Sequence, residues 1–239
     1  MIVDIFIPCL VDQIYPKTGL NMVKLLEEAG CSVNYNAEQT CCGQIAFNNG
    51  YWEECKEVGE KLIKEFLNDR YIVAPSTSCV DTIRNKYPEL FFNSALHNEF
   101  KQIQRNIFEF SDFCVNILKH SNFNATLNKR AVFLNSCSPG VCAPNKEAKQ
   151  LLNFVNGLEI ISYEGQEDCC GFGAGVFAIK NESISVAMAK EKTDAIINVG
   201  AELIISNEYT CLIQMQSYID KHNLPLKTMH LCDVLINKL

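Results

Sequence analysis

The 239-residue sequence has no long apolar run, no basic stretch and no consecutive glycines or prolines. No segment approaches the roughly 20 consecutive apolar residues of a membrane-spanning helix, so we expect no direct membrane insertion. Lys and Arg number 21 against 28 Asp and Glu, which gives a formal net charge of −7. Because no Lys/Arg-rich surface is available for phosphates, nucleic acid is not an expected partner. The remaining composition, 48% hydrophobic, is that of a globular protein.

The amino terminus also lacks the features of a secretory signal. MIVDIFIPCL has no basic region, contains Asp4 within its apolar stretch and offers no small-residue cleavage site. We therefore expect a cytoplasmic protein, whose thiols remain reduced. A dinucleotide fingerprint is missing too, because DCCGFGAGVF lacks the further spaced glycine and the acidic partner that such a motif requires.

Cysteine is the residue in excess, at 13 positions. In a reducing compartment such a number favours metal binding or catalysis over cross-linking. The spacing shows an internal repeat of the form C, CCG, C, since 31 residues separate Cys9 from Cys41 and 31 again separate Cys137 from Cys169. The cysteines of the repeated pattern are Cys9, Cys41, Cys42, Cys79, Cys137, Cys169, Cys170 and Cys211.

Short apolar runs precede these cysteines and predict buried parallel strands. The runs are IVDIFI, SVNYN, YIVA, AVFL, EIISY and ELIIS. Helical patterns lie between them, in NMVKLLEEAG, YWEECKEVGEKLIKEFL, EAKQLLNFVNG and ISVAMAKEKTDAIINVG. This alternation predicts an α/β fold of two pseudo-symmetric repeats, each a small parallel sheet flanked by helices. The polar stretch 119–130 places the boundary between an N-terminal CCG repeat of residues 1–122 and a C-terminal CCG repeat of residues 123–239.

The predicted topology brings the cysteines together at the carboxyl ends of the strands, where sites form in parallel sheets. Four thiolates in each half suit either an iron–sulfur cluster or zinc. Adjacent cysteines favour a multi-iron cluster, so we expect up to two clusters, of the [4Fe–4S] type, with zinc as the alternative or in aerobic preparations. Cys142 is near enough in sequence to Cys137 to add a ligand. The periodic positions of the remaining cysteines indicate packing roles for Cys31, Cys55, Cys114 and Cys232.

The doubled CCG arrangement resembles the cysteine-rich domain found in heterodisulfide reductase and in the iron–sulfur subunit of glycolate oxidase. Seven motifs along the chain resemble the lactate-utilisation protein A family: PCLVD, TCCGQ, STSC, NSCS, DCCGFGAGVF, YTC and MHLCDVL. The resemblance implies an iron–sulfur subunit of a cytosolic complex that oxidises L-lactate, a small 2-hydroxy acid, to pyruvate. It also implies an oxidoreductase activity that requires two partners, a ferredoxin-like iron–sulfur subunit and a third subunit.

The sequence departs from the heterodisulfide reductase pattern at two positions. Domains of that type end each motif in CxxC and hold non-cubane clusters through five cysteines, whereas Ser76 and Glu208 occupy the additional cysteine positions here. The resemblance therefore implies four-thiolate ligation, or a site to which the oxygen of Ser76 or Glu208 contributes. No catalytic residue is assigned, although His230 is a candidate acid–base group.

Two other functions remain open from the sequence. One is a thiol–disulfide redox enzyme of the heterodisulfide reductase kind. The other is a non-enzymatic interaction subunit in which zinc bound by the cysteines only stabilises the fold.

Overall fold

The structure, a computed structural model, describes residues 1–136 and 146–238. These residues form two compact units, Met1–His120 as unit 1 and the described residues from Ser121 onward as unit 2. The strands are β1 (Ile2–Ile5), β2 (Ser32–Tyr35), β3 (Tyr71–Ala74), β4 (Ile107–Glu109), β5 (Thr126–Phe133), β6 (Asn156–Ile160), β7 (Leu203–Ser206) and β8 (Lys227–His230). Across the described ranges, none of the helices combines the length and apolar character needed to cross a membrane.

The helices lie between and after the strands of each unit. Unit 1 contains α1 (Cys9–Ile14), α2 (Pro16–Glu28), α3 (Gln44–Asn48), α4 (Trp52–Phe66), α5 (Thr77–Asp81), α6 (Tyr87–Phe91), α7 (His97–Asn106) and α8 (Phe110–Asp112). Unit 2 contains α9 (Lys146–Leu152), α10 (Val176–Lys180), α11 (Glu182–Asn198), α12 (Tyr209–His222) and α13 (Leu231–Leu235). Short π-helical turns at Thr82–Lys86 and Phe113–Ile117 follow α5 and α8, and a 3₁₀ turn at Gly173–Gly175 precedes α10.

Each unit contains one four-stranded sheet in which all strands are parallel, and the two sheets have the same strand order. The order is β2-β1-β3-β4 in unit 1 and β6-β5-β7-β8 in unit 2. In both, the first strand of the unit is central, with Ile5 paired to Val73 in unit 1 and Phe133 paired to Ile205 in unit 2. The predicted α/β fold of two pseudo-symmetric parallel-sheet repeats is confirmed.

The apolar stripe of α4 shows how the sequence builds the core of unit 1. Leu62, Ile63 and Phe66 are buried at helical spacing, while Lys61 and Glu65 form an i, i+4 ion pair. The core they join contains many aromatic rings and also includes three of the cysteines, Cys42, Cys55 and Cys79.

Three stretches differ from the sequence expectations. The polar junction is in part a strand, because β5 already begins at Thr126 and its charged residues Lys129 and Arg130 pair with Glu202 and Glu159. The helix predicted to end at residue 157 instead ends at Leu152, and β6 begins at residue 156. The edge strands β4 and β8 were not expected.

Candidate functional site

The four repeat cysteines of unit 1 lie at the carboxyl edge of its sheet. Cys9 begins α1 after β1, Cys79 lies in α5 after β3, and Cys41 and Cys42 lie in the loop between β2 and α3. The central strands β1 and β3 connect onward to opposite sides of the sheet. Their carboxyl ends therefore form the topological switch point, where parallel α/β sheets bind ligands.

The sulfurs of unit 1 form two close pairs. Cys9 Sγ lies 3.8 Å from Cys41 Sγ, and Cys42 Sγ lies 3.3 Å from Cys79 Sγ. Cys42 and Cys79 are buried, whereas Cys9 and Cys41 are half-buried. The backbone N–H of Gly43 donates to Cys41 Sγ over 3.3 Å. The Cys42–Cys79 pair is thus shielded from water, whereas solvent reaches the Cys9–Cys41 pair.

Hydrogen bonding within this set stabilises one thiolate. The thiols of Cys42 and Cys9 lower the pKa of Cys41 to about 3, assisted by the Gly43 N–H. Hydrogen bonding to Cys41, followed by burial, raises the pKa of Cys9. Separate hydrogen bonds to Cys41 and Cys79, followed by burial, raise the pKa of Cys42. A metal that binds all four sulfurs must therefore displace protons from the other thiols.

A fifth sulfur lies close to this set. Cys55 of α4 is fully buried, and its Sγ is only 2.8 Å from the position that a Cβ on Gly43 would occupy. Burial raises the pKa of the Cys55 thiol to about 11. The hydroxyl of Tyr87 donates to the carbonyl oxygen of Cys42 over 3.0 Å. Helix periodicity had indicated only packing for Cys55, because sequence spacing does not reveal that α4 crosses the CCG loop.

The described cysteines of unit 2 repeat this geometry. Cys170 Sγ lies 3.1 Å from Cys211 Sγ, and the Gly171 N–H donates to Cys169 Sγ over 3.4 Å. Hydrogen bonding to Cys169 and Cys211, together with burial, raises the pKa of Cys170. In each unit the second cysteine of the CCG motif faces the closing cysteine, and the glycine N–H points at the first. The predicted ligands Cys137 and Cys142 lie outside the described residues.

Ser76 and Glu208, predicted as possible oxygen ligands, serve as helix caps. Ser76 Oγ accepts from the Cys79 N–H over 3.4 Å at the start of α5. Glu208 Oε1 accepts from the N–H and the hydroxyl of Thr210 at the start of α12, over 3.1 and 2.9 Å. Both side chains are buried. These bonds position the closing cysteine of each motif, because each cap precedes its cysteine by three residues.

His230, the candidate acid–base residue, lies at the end of β8 and caps α13. Its Nδ1 accepts from the Cys232 N–H over 3.2 Å, and its ring stacks on Tyr209 with centroids 4.8 Å apart. The side chain is only 1% exposed. These contacts give it a structural role in joining β8, α12 and α13.

Unit 2 contains a group that the sequence did not single out, the buried amine of Lys192. Its Nζ donates to the Gly165 carbonyl oxygen over 2.8 Å and to the Tyr163 hydroxyl over 3.3 Å. A cavity of about 690 Å³ is lined by both Lys192 and Cys169. Burial lowers the pKa of Lys192, while Asp168 and the neighbouring cysteines oppose that shift. The amine therefore belongs to the surroundings of the unit 2 cysteines.

The chemistry of the donor set fits a thiolate-ligated group. Unit 1 supplies four cysteine sulfurs at one sheet edge, the ligand number that iron–sulfur clusters and structural zinc both take. A backbone N–H directed at sulfur, as from Gly43 and Gly171, is a common tuning contact of iron–sulfur clusters. Within residues 1–136 and 146–238, no three His, Cys, Asp or Glu side chains are arranged as a single-ion site.

Comparison with known proteins relates the whole chain to one family. The model of the cysteine-rich domain CCG matches residues 3–84 and 131–216, once in each half. Lactate utilization protein A 1 of Bacillus mycoides (strain KBAB4) is 37% identical over 238 residues, which cover 98% of this chain and 96% of that protein. Lactate utilization protein A of Bacillus subtilis (strain 168) is 35% identical over 237 residues, covering 98% of this chain and 99% of that protein.

Among solved structures, a hypothetical protein from Helicobacter pylori has a similar fold. It superposes with a TM-score of 0.68 at 10% sequence identity over 98% of this chain. The chain spans about half of that protein, 48% of its length. At this identity the match supports the fold alone.

Proposed function

The chain belongs to the CCG cysteine-rich domain family and is a homologue of lactate utilization protein A, and on this basis we propose that it is the iron–sulfur subunit of a cytoplasmic complex that oxidises L-lactate to pyruvate. The observation that carries the proposal is the repeated geometry of the cysteines. In both units a close sulfur pair lies beside a CCG glycine whose N–H points at a third sulfur.

The proposed reaction removes two electrons and two protons from L-lactate, breaks its C–H and O–H bonds and forms the pyruvate C=O bond. Iron–sulfur clusters, when bound, supply one-electron transfer. The chain's own residues would hold one such group through Cys9, Cys41, Cys42 and Cys79, and a second through the corresponding cysteines of unit 2. Burial of Cys42 and Cys170 keeps water away from the inner sulfurs.

Partner subunits complete the proposed activity. The electrons leave to a ferredoxin-like iron–sulfur subunit as acceptor, and the same complex includes a third subunit. The names of the homologues, which specify lactate utilization, support the substrate. His230 is not assigned the proton transfer, because its Nδ1 caps α13 and its ring stacks on Tyr209.

The test is to measure iron, acid-labile sulfide and zinc, with EPR spectra, on the full chain purified without oxygen. We expect about four irons and four sulfides for each occupied site. Cys42→Ser and Cys170→Ser should each remove one set. Cys31→Ser is the matched control, because this buried cysteine lies at the amino end of β2, opposite the site, and the variant should keep both sets.

The outcome decides between the proposal and its alternatives. Zinc without sulfide in the anaerobic protein would contradict the electron-transfer role and favour a metal-stabilised interaction subunit. Turnover of a small disulfide by the isolated protein would instead favour thiol–disulfide chemistry, for which the 3.1 Å sulfur pair of Cys170 and Cys211 is the structural basis.

A further inference from the structure

The two cysteine sites differ in the helix that packs over each CCG glycine. In unit 1 this helix is α4, with Cys55 Sγ 2.8 Å from the Cβ position of Gly43. In unit 2 it is α11, whose nearest atom is the backbone carbonyl oxygen of Ser185, 3.1 Å from the Cβ position of Gly171, while the carbonyl oxygen of Cys55 lies 3.5 Å from that of Gly43. Cys55 and Ser185 are each the fourth residue of their helix and are therefore structural counterparts, so the residues two helical turns later can be compared.

That later position carries a positive charge in one unit and an apolar side chain in the other. Seven residues after Ser185 comes Lys192, whereas seven residues after Cys55 comes Leu62. Leu62 is buried in the apolar core that also contains Cys42 and Cys79. A neutral side chain thus lies in unit 1 at the position where an amine lies in unit 2.

Burial makes the charge of Lys192 effective over distance. Its side chain is only 4% exposed and is held by the Gly165 carbonyl oxygen and the Tyr163 hydroxyl. It also lines the same cavity as Cys169. Charges interact more strongly through the protein interior than through water, so a buried ammonium acts on the neighbouring sulfurs with little screening.

Carboxylates near the cavity oppose this charge but are less effective. Glu164, Asp168 and Glu191 line the same cavity, and all three are exposed to solvent. Water and salt screen exposed charges. Among the charged groups that line this cavity, the buried amine is therefore the least screened.

We propose that Lys192 makes the two cysteine sites electrically unequal, so that the unit 2 site accepts an electron before the unit 1 site. This inference rests on the proposed function. The electron comes from lactate oxidation, adds one negative charge to the site, and neither forms a bond nor removes a proton from Lys192. Because the ammonium group is attracted to that added charge, it stabilises the reduced state of its own site.

The first test is an EPR-monitored redox titration of the anaerobic full chain. Cys42→Ser provides a background in which the signal comes from unit 2. In that background Lys192→Met should lower the ratio of reduced to oxidised site by roughly tenfold at a fixed potential, the change expected for a unit charge roughly 10 Å away at an effective dielectric constant of about 20. The unit 1 signal, isolated with Cys170→Ser, should not change.

Three further variants separate charge from structure. Lys192→Arg keeps the charge and should retain the ratio. Lys192→Gln keeps a hydrogen-bond donor without the charge and should behave like Lys192→Met. Lys190→Met is the matched control, because Lys190 lies two residues earlier on α11, is exposed and pairs with Asp194. The proposal is overturned if Lys192→Met matches Lys190→Met, if Lys192→Arg shifts as far as Lys192→Met, or if the unit 1 site of the wild-type chain is reduced first.

A second readout does not depend on electron transfer. Metal-free protein is titrated with Cd²⁺, and the cadmium–thiolate absorption is followed for each site. Removing a nearby positive charge should tighten Cd²⁺ binding to unit 2 by roughly tenfold in Lys192→Met and leave it unchanged in Lys190→Met. Absence of iron from every variant overturns the proposed function and the order of reduction, whereas equal Cd²⁺ affinities in the two variants overturn the electrostatic action of Lys192 itself.

Discussion

Replacing Gly43 with alanine should destabilise unit 1 through two separable effects. The backbone of Gly43 is left-handed, with φ of +76°, which disfavours a side chain by about 1–2 kcal/mol. The reduced freedom of alanine in the unfolded chain offsets about 0.4–1 kcal/mol of this. The new Cβ would also lie 2.8 Å from Cys55 Sγ, and overpacking of a core costs about 1–3 kcal/mol. We expect a total loss of about 2–4 kcal/mol in the free energy of unfolding.

Gly50 offers a control with the same backbone conformation and no steric conflict. Its φ is +81°, and nothing lies within 4 Å of its Cβ position. Gly50→Ala should therefore lose only about 1 kcal/mol. Adding Cys55→Ala to Gly43→Ala removes the clash, so the double variant should be more stable than the sum of the single changes predicts.

The assay is urea unfolding of metal-free protein in reducing buffer, followed by tryptophan fluorescence. The sequence contains one tryptophan, Trp52, at the start of α4, so the signal reports on unit 1. If Gly43→Ala and Gly50→Ala lose equal stability, or if the double variant is strictly additive, the close approach of Cys55 to the CCG loop is not real and the reasoning fails.

Two further changes test buried carboxylates. Burial raises the pKa of Glu109 from 4.5 to about 7 in the folded protein, so the protonated carboxyl favours folding below pH 4.5 and this stabilisation is lost as the pH rises through 7. Glu109→Gln should therefore remove about 3 kcal/mol of pH dependence from unfolding free energies measured across this window. An unchanged pH profile would contradict the raised pKa of Glu109. Glu208→Ala should lower the free energy of unfolding of unit 2 by about 1–2 kcal/mol, because the variant loses the cap of α12, while the iron content per site stays constant. Loss of iron with an unchanged free energy of unfolding would instead identify Glu208 as a ligand.

The fold could be predicted largely from the sequence because a buried parallel strand is a continuous apolar run. The two strands that escaped detection, β4 and β8, are both edge strands. β4 has three residues, and β8 begins with the polar pair Lys227 and Thr228. An edge strand has one neighbour and needs less apolar surface, so its sequence carries a weaker signal. The charged start of β5 was missed for a related reason, since Arg130 is satisfied by Glu159 on the adjacent strand.

The surroundings of the cysteines could not be predicted in the same way. Spacing groups the cysteines because the carboxyl ends of parallel strands share an edge. It does not indicate which side chains of the covering helices face that edge. Lys190 and Lys192 look alike in the sequence of α11, yet one pairs with Asp194 in solvent and the other is buried against Tyr163. Only the packing of α11 on the loop after β6 distinguishes them.

All four repeat cysteines of unit 1 lie before residue 80, so this thiol set is synthesised before the repeat cysteines of unit 2. The sheet of unit 1 is complete once β4 has left the ribosome, since its strands pair only with one another. Domains fold as units from the amino terminus during translation. The first thiol set can therefore assemble while the second is still being translated. Under the proposed function, the two sites would then be filled in sequence rather than together.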